Sequence, residues 1–414
     1  MTDKKLKVFV SHAGVCYRRE LDSYRVRDYF KLNGAVLVDN PNSADVMILT
    51  TCGYKEQTEH ACLQQIKTLS RFPGELIVMG CLPGIAPTNL KKIFKGRYFS
   101  TKDINKIDSA FPSFKIKMKD VQESNFLRDD YLPKTKEFYD SKNENVGKIA
   151  ILRVGKSIFA NQEDEMAIPI ITCCKGCNWG CSYCGIYHAI GRVVSKPIEK
   201  ILDEYKRLLN AGYTKVRFTG DEVGNYGEDI NLDFSVLLDA IYSIDKQAGT
   251  EWFINDVHPR YALKFKDKFS KYINLGKIKS LQVMVQSGSD KILSLMNRGY
   301  KSDEIKKCLK EFKRINPNLS IVTHMIVGFP GETEKDFSDS ISFLNEIDAN
   351  GAQFFSFSPR EGTLAYDMDN KLHESIIQKR LKYIIELYGK NNVEIIAESN
   401  CAALGKRYDY YLKT

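Results

Sequence analysis

The sequence predicts an α/β protein of two successive units: an open parallel sheet of the Rossmann or flavodoxin kind, then a partial (β/α)6 TIM-like barrel. Three observations carry this prediction. Short apolar runs alternate with stretches of helical period in both halves of the chain. Two of the runs, in Asp45–Thr50 and Glu75–Met79, are continuously apolar, as strands covered on both faces should be. Between about Pro112 and Glu165 this alternation lapses into Lys, Asp, Glu and Asn with few sustained apolar periods.

In the first unit, residues 1–111, strands are expected at Lys7–Ser11, Ala35–Val38, Asp45–Thr50 and Glu75–Met79, with helices at Asp22–Leu32 and Glu56–Arg71. Residues 112–165 read as a connecting segment in which Ile149–Val154 could form a strand. The second unit, residues 166–388, offers six strands: Ile168–Thr172, Lys215–Thr219, Trp252–Asn255, Ser280–Val285, Ser320–Val327 and Ala352–Phe357. Helical patterns such as Lys200–Asn210 and Asp303–Arg314 separate them, and His373–Tyr388 is a last helix. Barrels of this kind place their chemistry at the C-terminal ends of the strands. Residues 389–414 read as a short tail.

With 43% hydrophobic and 27% charged residues, the composition is that of an ordinary globular protein. The chain has no apolar run near the roughly 18 residues of a membrane span and no signal-peptide pattern, so a cytoplasmic location without a membrane partner is expected. A net charge of +9 is compatible with a polyanionic partner, but Lys and Arg are scattered and form no dense basic tract. Eleven cysteines in a reducing compartment point to metal or catalytic use rather than disulfides.

Cys177, Cys181 and Cys184 follow the first barrel strand with C-x3-C-x2-C spacing. One compact loop can thus present three thiolates to one face of a 4Fe–4S cubane, a ligand short of the four cysteines of electron-transfer sites. A structural zinc site is the competing reading; it needs a fourth ligand, and His188 lies nearby. Cys173 and Cys174 read as the strand end, one facing the core and one the cavity.

This loop resembles the signature of the radical S-adenosylmethionine (SAM) superfamily. The resemblance implies that the open iron chelates the amino and carboxylate groups of SAM, with Tyr183 against the adenine. Reductive cleavage then yields a 5′-deoxyadenosyl radical that removes hydrogen from an unreactive C–H; the cofactor carries the hard chemistry. Other strand ends fit the same role. Thr219, Gly220 and Asp221 lie where such enzymes grip the methionine amino group. Gln286 and Ser287 suit the ribose or carboxylate, and Gly328, Phe329 and Glu332 belong to a run that lets backbone approach the adenine. Arg298 is grouped with these cofactor-binding residues.

Cys16, Cys52 and Cys81 each fall just beyond a strand of the first sheet, where parallel strands share one ligand-binding edge. Chance packing of three small residues is the alternative reading. Cys16 with Asp22-Ser23, Leu49-Thr50-Thr51-Cys52, Val78-Met79-Gly80-Cys81, Val285 to Asp290, Met296 to Tyr300, Ile326 to Thr333 and Ser358 to Thr363 are together similar to methylthiotransferases of tRNA and ribosomal protein. The resemblance runs from about Lys7 to Ala365. It implies a second 4Fe–4S cluster on Cys16, Cys52 and Cys81 that carries the sulfur, and conversion of C–H to a methylthioether. It also implies a flavodoxin- or ferredoxin-type electron donor and a sulfur donor. Cys62 and Cys308, inside expected helices, and Cys401 receive no role.

Three departures bear on the substrate. Ile190-Gly191 and Val194-Ser195-Lys196 stand where the family carries arginines. His324 replaces an acidic residue and reads either as a substrate ligand or as a satisfied core histidine. Leu404-Gly405-Lys406 resembles the start of the family's RNA-gripping TRAM domain, but the sequence ends at Thr414. These differences favour a peptide or small biosynthetic intermediate as substrate over a tRNA adenosine, with His188, His324 and Arg360 as substrate-binding candidates. A cluster-binding regulator without turnover is a third reading.

Overall fold

The apolar runs of the first hundred residues pair into one sheet. The computed structural model describes residues 5–126, 151–155, 168–246, 249–389 and 393–396. Strands β1 (Lys7–His12), β2 (Val36–Leu37), β3 (Val46–Thr51), β4 (Glu75–Gly80) and β5 (Arg97–Ser100) lie parallel in the order β2-β1-β3-β4-β5. The central β3 is buried at every residue, as its unbroken apolar run requires. Alternate side chains serve opposite faces. Val8, Val10 and Ile48 pack toward helix α1 (Tyr17–Leu32), whereas Phe9, Met47 and Leu49 pack toward helix α2 (Glu56–Leu69).

Strand β5 and the start of α1 are among the differences from expectation. Strand β5 carries no sequence pattern of its own, because RYFS is short and mostly half-exposed at the sheet edge. Helix α1 begins at Tyr17 rather than Asp22, since its first turn, Tyr17-Arg18-Arg19-Glu20, carries charges instead of an apolar period; Arg19 and Glu20 are nonetheless buried.

All six expected barrel strands form: β7 (Ile170–Lys175), β9 (Lys215–Gly220), β10 (Glu251–Val257), β11 (Ile278–Gln286), β12 (Ser320–Val327) and β13 (Gly351–Ser356). They run parallel in that order. Antiparallel strands cover both edges: β8 (Val194–Ser195) beside β7, and β6 (Ile151–Gly155) then β14 (Val393–Ile396) beside β13. The connecting segment and the tail thus each lend a strand that satisfies backbone groups an open edge would leave unpaired. Leu281, Val283, Ile321, Val327 and Phe354 turn outward into the helix-packed core. The alternate residues Gln282, Met284, His324, Ile326, Gln353 and Phe355 are half-buried and line the interior.

Cys173 and Cys174 are both buried in that outer core, so neither faces a cavity; the sulfur of Cys174 donates to Glu222 O at 3.3 Å. Cys62 and Cys308 are buried within helices as small apolar residues are. Cys401 lies outside the described residues. Among the described residues no helix is long and apolar enough to cross a membrane.

Candidate cluster and cofactor site

The loop from Cys177 to Cys184 has no regular structure of its own, so its shape is set by the groups that satisfy its backbone. Cys177 N donates to Gly191 O at 3.0 Å and Asn178 N to Asn225 Oδ1 at 3.1 Å. Ser182 N and Oγ donate to Met296 O and Leu295 O at 3.0 and 2.8 Å. Trp179 Nε1 donates to Asn297 O at 2.6 Å, and Asn297 Nδ2 returns a bond to Gly180 O at 2.7 Å. The indole is covered by Arg260, whose guanidinium carbon lies 3.9 Å from the ring centroid. Gly299, at φ +67°, lets the chain pass the indole; a Cβ there would stand 2.6 Å from Trp179 Cζ2.

Two thiols of this loop are raised by burial and by their neighbours. Burial pushes the Cys184 thiol up to about 12, with Cys181 adding to it, and burial followed by Glu222 lifts Cys177 above the ordinary thiol range. Arg298 Nη1 donates to Cys181 Sγ at 3.1 Å, and the N–H of Trp179 to Cys177 Sγ at 3.3 Å. Buried thiols of this kind become thiolates only opposite a cationic centre, as iron supplies.

The second set lies at the C-terminal edge of the first sheet. Cys16 precedes α1, Cys52 follows β3, and Cys81 follows β4. Burial raises Cys52 far above its usual value, with Cys81 and Cys16 adding to it. Burial lifts Cys81 to about 11 while the nearby Arg19 guanidinium pulls it down. Cys62 contributes from below, accepting the backbone N–H of Cys52 at 3.3 Å and donating to Ala13 O at 3.7 Å.

Among the described residues, no three His, Cys, Asp or Glu side chains close to the spacing of a single metal ion. A cubane holds its thiolates farther apart than one ion does, so two all-sulfur sets of three fit 4Fe–4S clusters. His188 turns its Nε2 to Gly362 O at 3.1 Å, and lines a groove of about 620 Å³ with Lys102, Lys106 and Tyr98.

The other candidates divide into two groups. Tyr183 and Phe329 pack edge-to-face at 6.4 Å beside Ile326 and Phe357, and Arg298 Nη1 is 3.4 Å from the Tyr183 hydroxyl. Gln286, at φ +76°, ends β11. The rest are engaged in holding the scaffold. Glu332 accepts Gly328 N at 2.6 Å and Arg380 Nη1 at 2.6 Å. Ser287 Oγ is 3.2 Å from Ser340 Oγ. Arg360 Nη1 donates to Glu59 Oε2 at 2.6 Å and Gly53 O at 3.2 Å, which joins the barrel to the Cys52 loop. His324 Nε2 is 3.2 Å from Gln282 Nε2, with its ring 5.0 Å from that of Phe355. Gly220 packs against Cys174, where a Cβ would stand 2.8 Å from its sulfur.

Thr219 and Asp221 lead to residues that the sequence did not single out. The Tyr17 hydroxyl lies 2.7 Å from Thr219 Oγ1 and donates to Asp256 Oδ2 at 2.6 Å. Arg18 Nη1 reaches Asp256 at 2.5 Å, and Arg19 Nη2 reaches Asp221 at 3.2 Å. Lys55, three residues past Cys52, is buried with Nζ 5.4 Å from the Phe355 ring centroid. The readable signal is a pair of arginines two and three residues after a candidate ligand cysteine, in a helix turn with no apolar period.

A family model described as the Radical SAM superfamily matches residues 171–344, and one described as Uncharacterized protein family UPF0004 matches residues 7–99. The chain is 30% identical over 409 residues to the tRNA-2-methylthio-N(6)-dimethylallyladenosine synthase of Clostridium tetani (strain Massachusetts / E88), covering 94% of this chain and 83% of that protein. The enzyme of the same name from Thermosipho africanus (strain TCF52B) is 29% identical over 390 residues, covering 94% and 84%. Among solved structures, the radical S-adenosylmethionine methyltransferase TsrM from Kitasatospora setae, with cobalamin and a [4Fe-4S] cluster bound, matches with a TM-score of 0.60 at 12% identity, over 88% of this chain and 77% of that one. The cobalamin-dependent S-adenosylmethionine radical enzyme OxsB with aqua-cobalamin bound matches at 0.53 and 13%, over 93% and 56%. At such identities the two structures share the fold with this chain.

Proposed function

The chain belongs to the radical SAM methylthiotransferase family, and we propose that it places a methylthio group on an unactivated carbon of a tRNA adenosine. It is a sulfur-inserting enzyme that uses SAM and two 4Fe–4S clusters. In this reading Cys177, Cys181 and Cys184 hold one cluster and Cys16, Cys52 and Cys81 the other. When bound, these groups supply hydrogen-atom abstraction and the sulfur. The residues of the chain bind, orient and exclude water: Tyr183 and Phe329 flank the adenine of SAM, and Arg298 holds the sulfur of Cys181.

The observation that carries the reading is the convergence of two three-cysteine sets at abutting sheet edges, the flank of one tied to the flank of the other through Arg19 and Asp221. The tRNA substrate is supported by the names of the relatives and by the net charge of +9. This shifts the preference away from the peptide or small intermediate that the altered loop favoured. That second reading keeps one observation: Val194, in β8 within the stretch that departs from the family, is 67% exposed. A flavodoxin- or ferredoxin-type reductant, a separate sulfur donor and a cytoplasmic location complete the proposal.

The test is anaerobic reconstitution with iron counting. Replacing either cysteine triplet by alanine should halve the iron; unchanged iron in the Cys16/Cys52/Cys81 variant overturns the two-cluster reading. Reconstituted enzyme, SAM and dithionite should methylthiolate hypomodified tRNA, and tRNA affinity should fall steeply with salt through counterion release. Negligible tRNA binding at low salt moves the substrate to the second reading.

A further inference from the structure

The segment after Cys16 and the segment before Cys177 are stitched together by buried charges. Arg19, 2% exposed, donates through Nη2 to Asp221 Oδ1 at 3.2 Å. The other oxygen of Asp221 accepts the backbone N–H of Gly176 at 2.8 Å, one residue before Cys177. In parallel, Lys175 Nζ donates to Asp22 Oδ1 at 2.8 Å, and Asp22 Oδ2 lies 3.1 Å from Arg19 Nη1. Glu123 braces the same lysine at 2.8 Å and reaches Lys196 at 3.0 Å.

Exposed ion pairs contribute little, because water and mobile side chains dilute them. Here the partners are largely buried, each charge has a defined counter-charge, and losing one strands the other in a poorly solvated place. The pairs also sit where geometry matters most. On one side they lie three and six residues after a ligand cysteine, and on the other one and two residues before another. A shift here therefore moves one cysteine set against the other directly. Reactions that need two centres to meet one carbon are sensitive to such shifts, about 10²-fold for a 1 Å misplacement.

We propose that Arg19 and Lys175 are positioning residues that fix the separation and orientation of the two cysteine sets, and so couple radical formation at one to sulfur delivery at the other. This rests on the two-cluster reading given above. Neither residue touches substrate in this role; Lys175 acts through Asp22, and Arg19 through Asp22 and Asp221 with its guanidinium also near the Cys81 thiol.

The test uses reconstituted full-length enzyme carrying Arg19→Met or Lys175→Met, with Lys175→Arg as the conservative control. In Lys175→Met, iron content and substrate-free 5′-deoxyadenosine formation are expected to stay within about two-fold of wild type. The ratio of thioether product to 5′-deoxyadenosine should fall about 10- to 100-fold. Pulsed dipolar electron paramagnetic resonance between the reduced clusters should show a broadened or shifted distance distribution, which Lys175→Arg restores. An unchanged distribution and ratio in both methionine variants overturns the proposal. So does a loss of iron that Lys175→Arg shares, which makes these residues merely structural. A Cys16/Cys52/Cys81 variant that keeps all its iron instead overturns the two-cluster reading beneath it, and the two failures are told apart.

Discussion

Arg298 donates to the sulfur of Cys181 at 3.1 Å across 117 residues of sequence, from a side chain that also donates to Met284 O. Positive charge and a hydrogen bond at a ligand sulfur favour the more negative, reduced cluster. Arg298→Met should therefore lower the midpoint potential of the Cys177 cluster by on the order of tens of millivolts. The rate of 5′-deoxyadenosine formation at a fixed reductant potential should fall with it. A spectroscopic redox titration checks this; an unmoved midpoint would show that the guanidinium does not act on the cluster.

Gly299 is a position where the packing of the cluster loop leaves no room for a side chain. Its φ of +67° disfavours any other residue, and an added Cβ meets Trp179 at 2.6 Å. Gly299→Ala should cost about 1–3 kcal/mol in stability and displace the indole that pins the loop. The measurable outcome is a lower unfolding temperature together with faster loss of iron in air. Wild-type iron retention would count against the indole as an anchor.

Arg360 and Glu59 form a pair at 2.6 Å with each side chain 9% exposed. Because the partners come from different units, removing one leaves a buried charge at the junction. Arg360→Met should destabilise the apo protein by about 3–5 kcal/mol, and the double variant with Glu59→Met should recover much of that. Denaturant unfolding of the four proteins measures the coupling; additive single effects would place the two residues in separate environments.

Glu222 gives a pH dependence whose sign can be worked out. Burial raises its carboxyl from 4.5 to about 8, although it accepts the backbone N–H groups of His258 and Gly224 at 2.9 and 3.1 Å. The folded protein thus holds this proton more tightly than the unfolded chain. Its contribution to stability is complete below the unfolded value and is lost as pH rises through the folded one. Apo wild type and Glu222→Gln should unfold at similar temperatures near about pH 4, and the variant should be the more stable by about pH 9. Parallel melting curves across that range would place the proton elsewhere.

Strand β3 was legible because it is buried on both faces, which forces the apolar run Val46–Leu49, and β12 because buried residues alternate with half-buried ones along Ser320–Val327. Strands β5 and β14 escaped because RYFS and VEII are short edge strands whose pairing depends on a neighbour rather than on their own pattern. The six candidate ligand cysteines were legible for another reason. Three lie within one short loop, and three each follow a recognisable strand whose end has a known place in a parallel sheet.

By itself, the sequence determined the parallel sheets, the order of their strands along the chain and the two cysteine sets at their ends, since these follow from local apolar periodicity and residue spacing. Only the tertiary structure decided what stands between the sets. Tyr17, Arg18 and Arg19 meet Thr219, Asp256 and Asp221 across some two hundred residues of chain. Arg360, expected to face substrate, is held by Glu59 instead. A charged side chain carries no record of its partner in local sequence. Its role is fixed by burial and by the counter-charge it finds, and both exist only once the two units have packed.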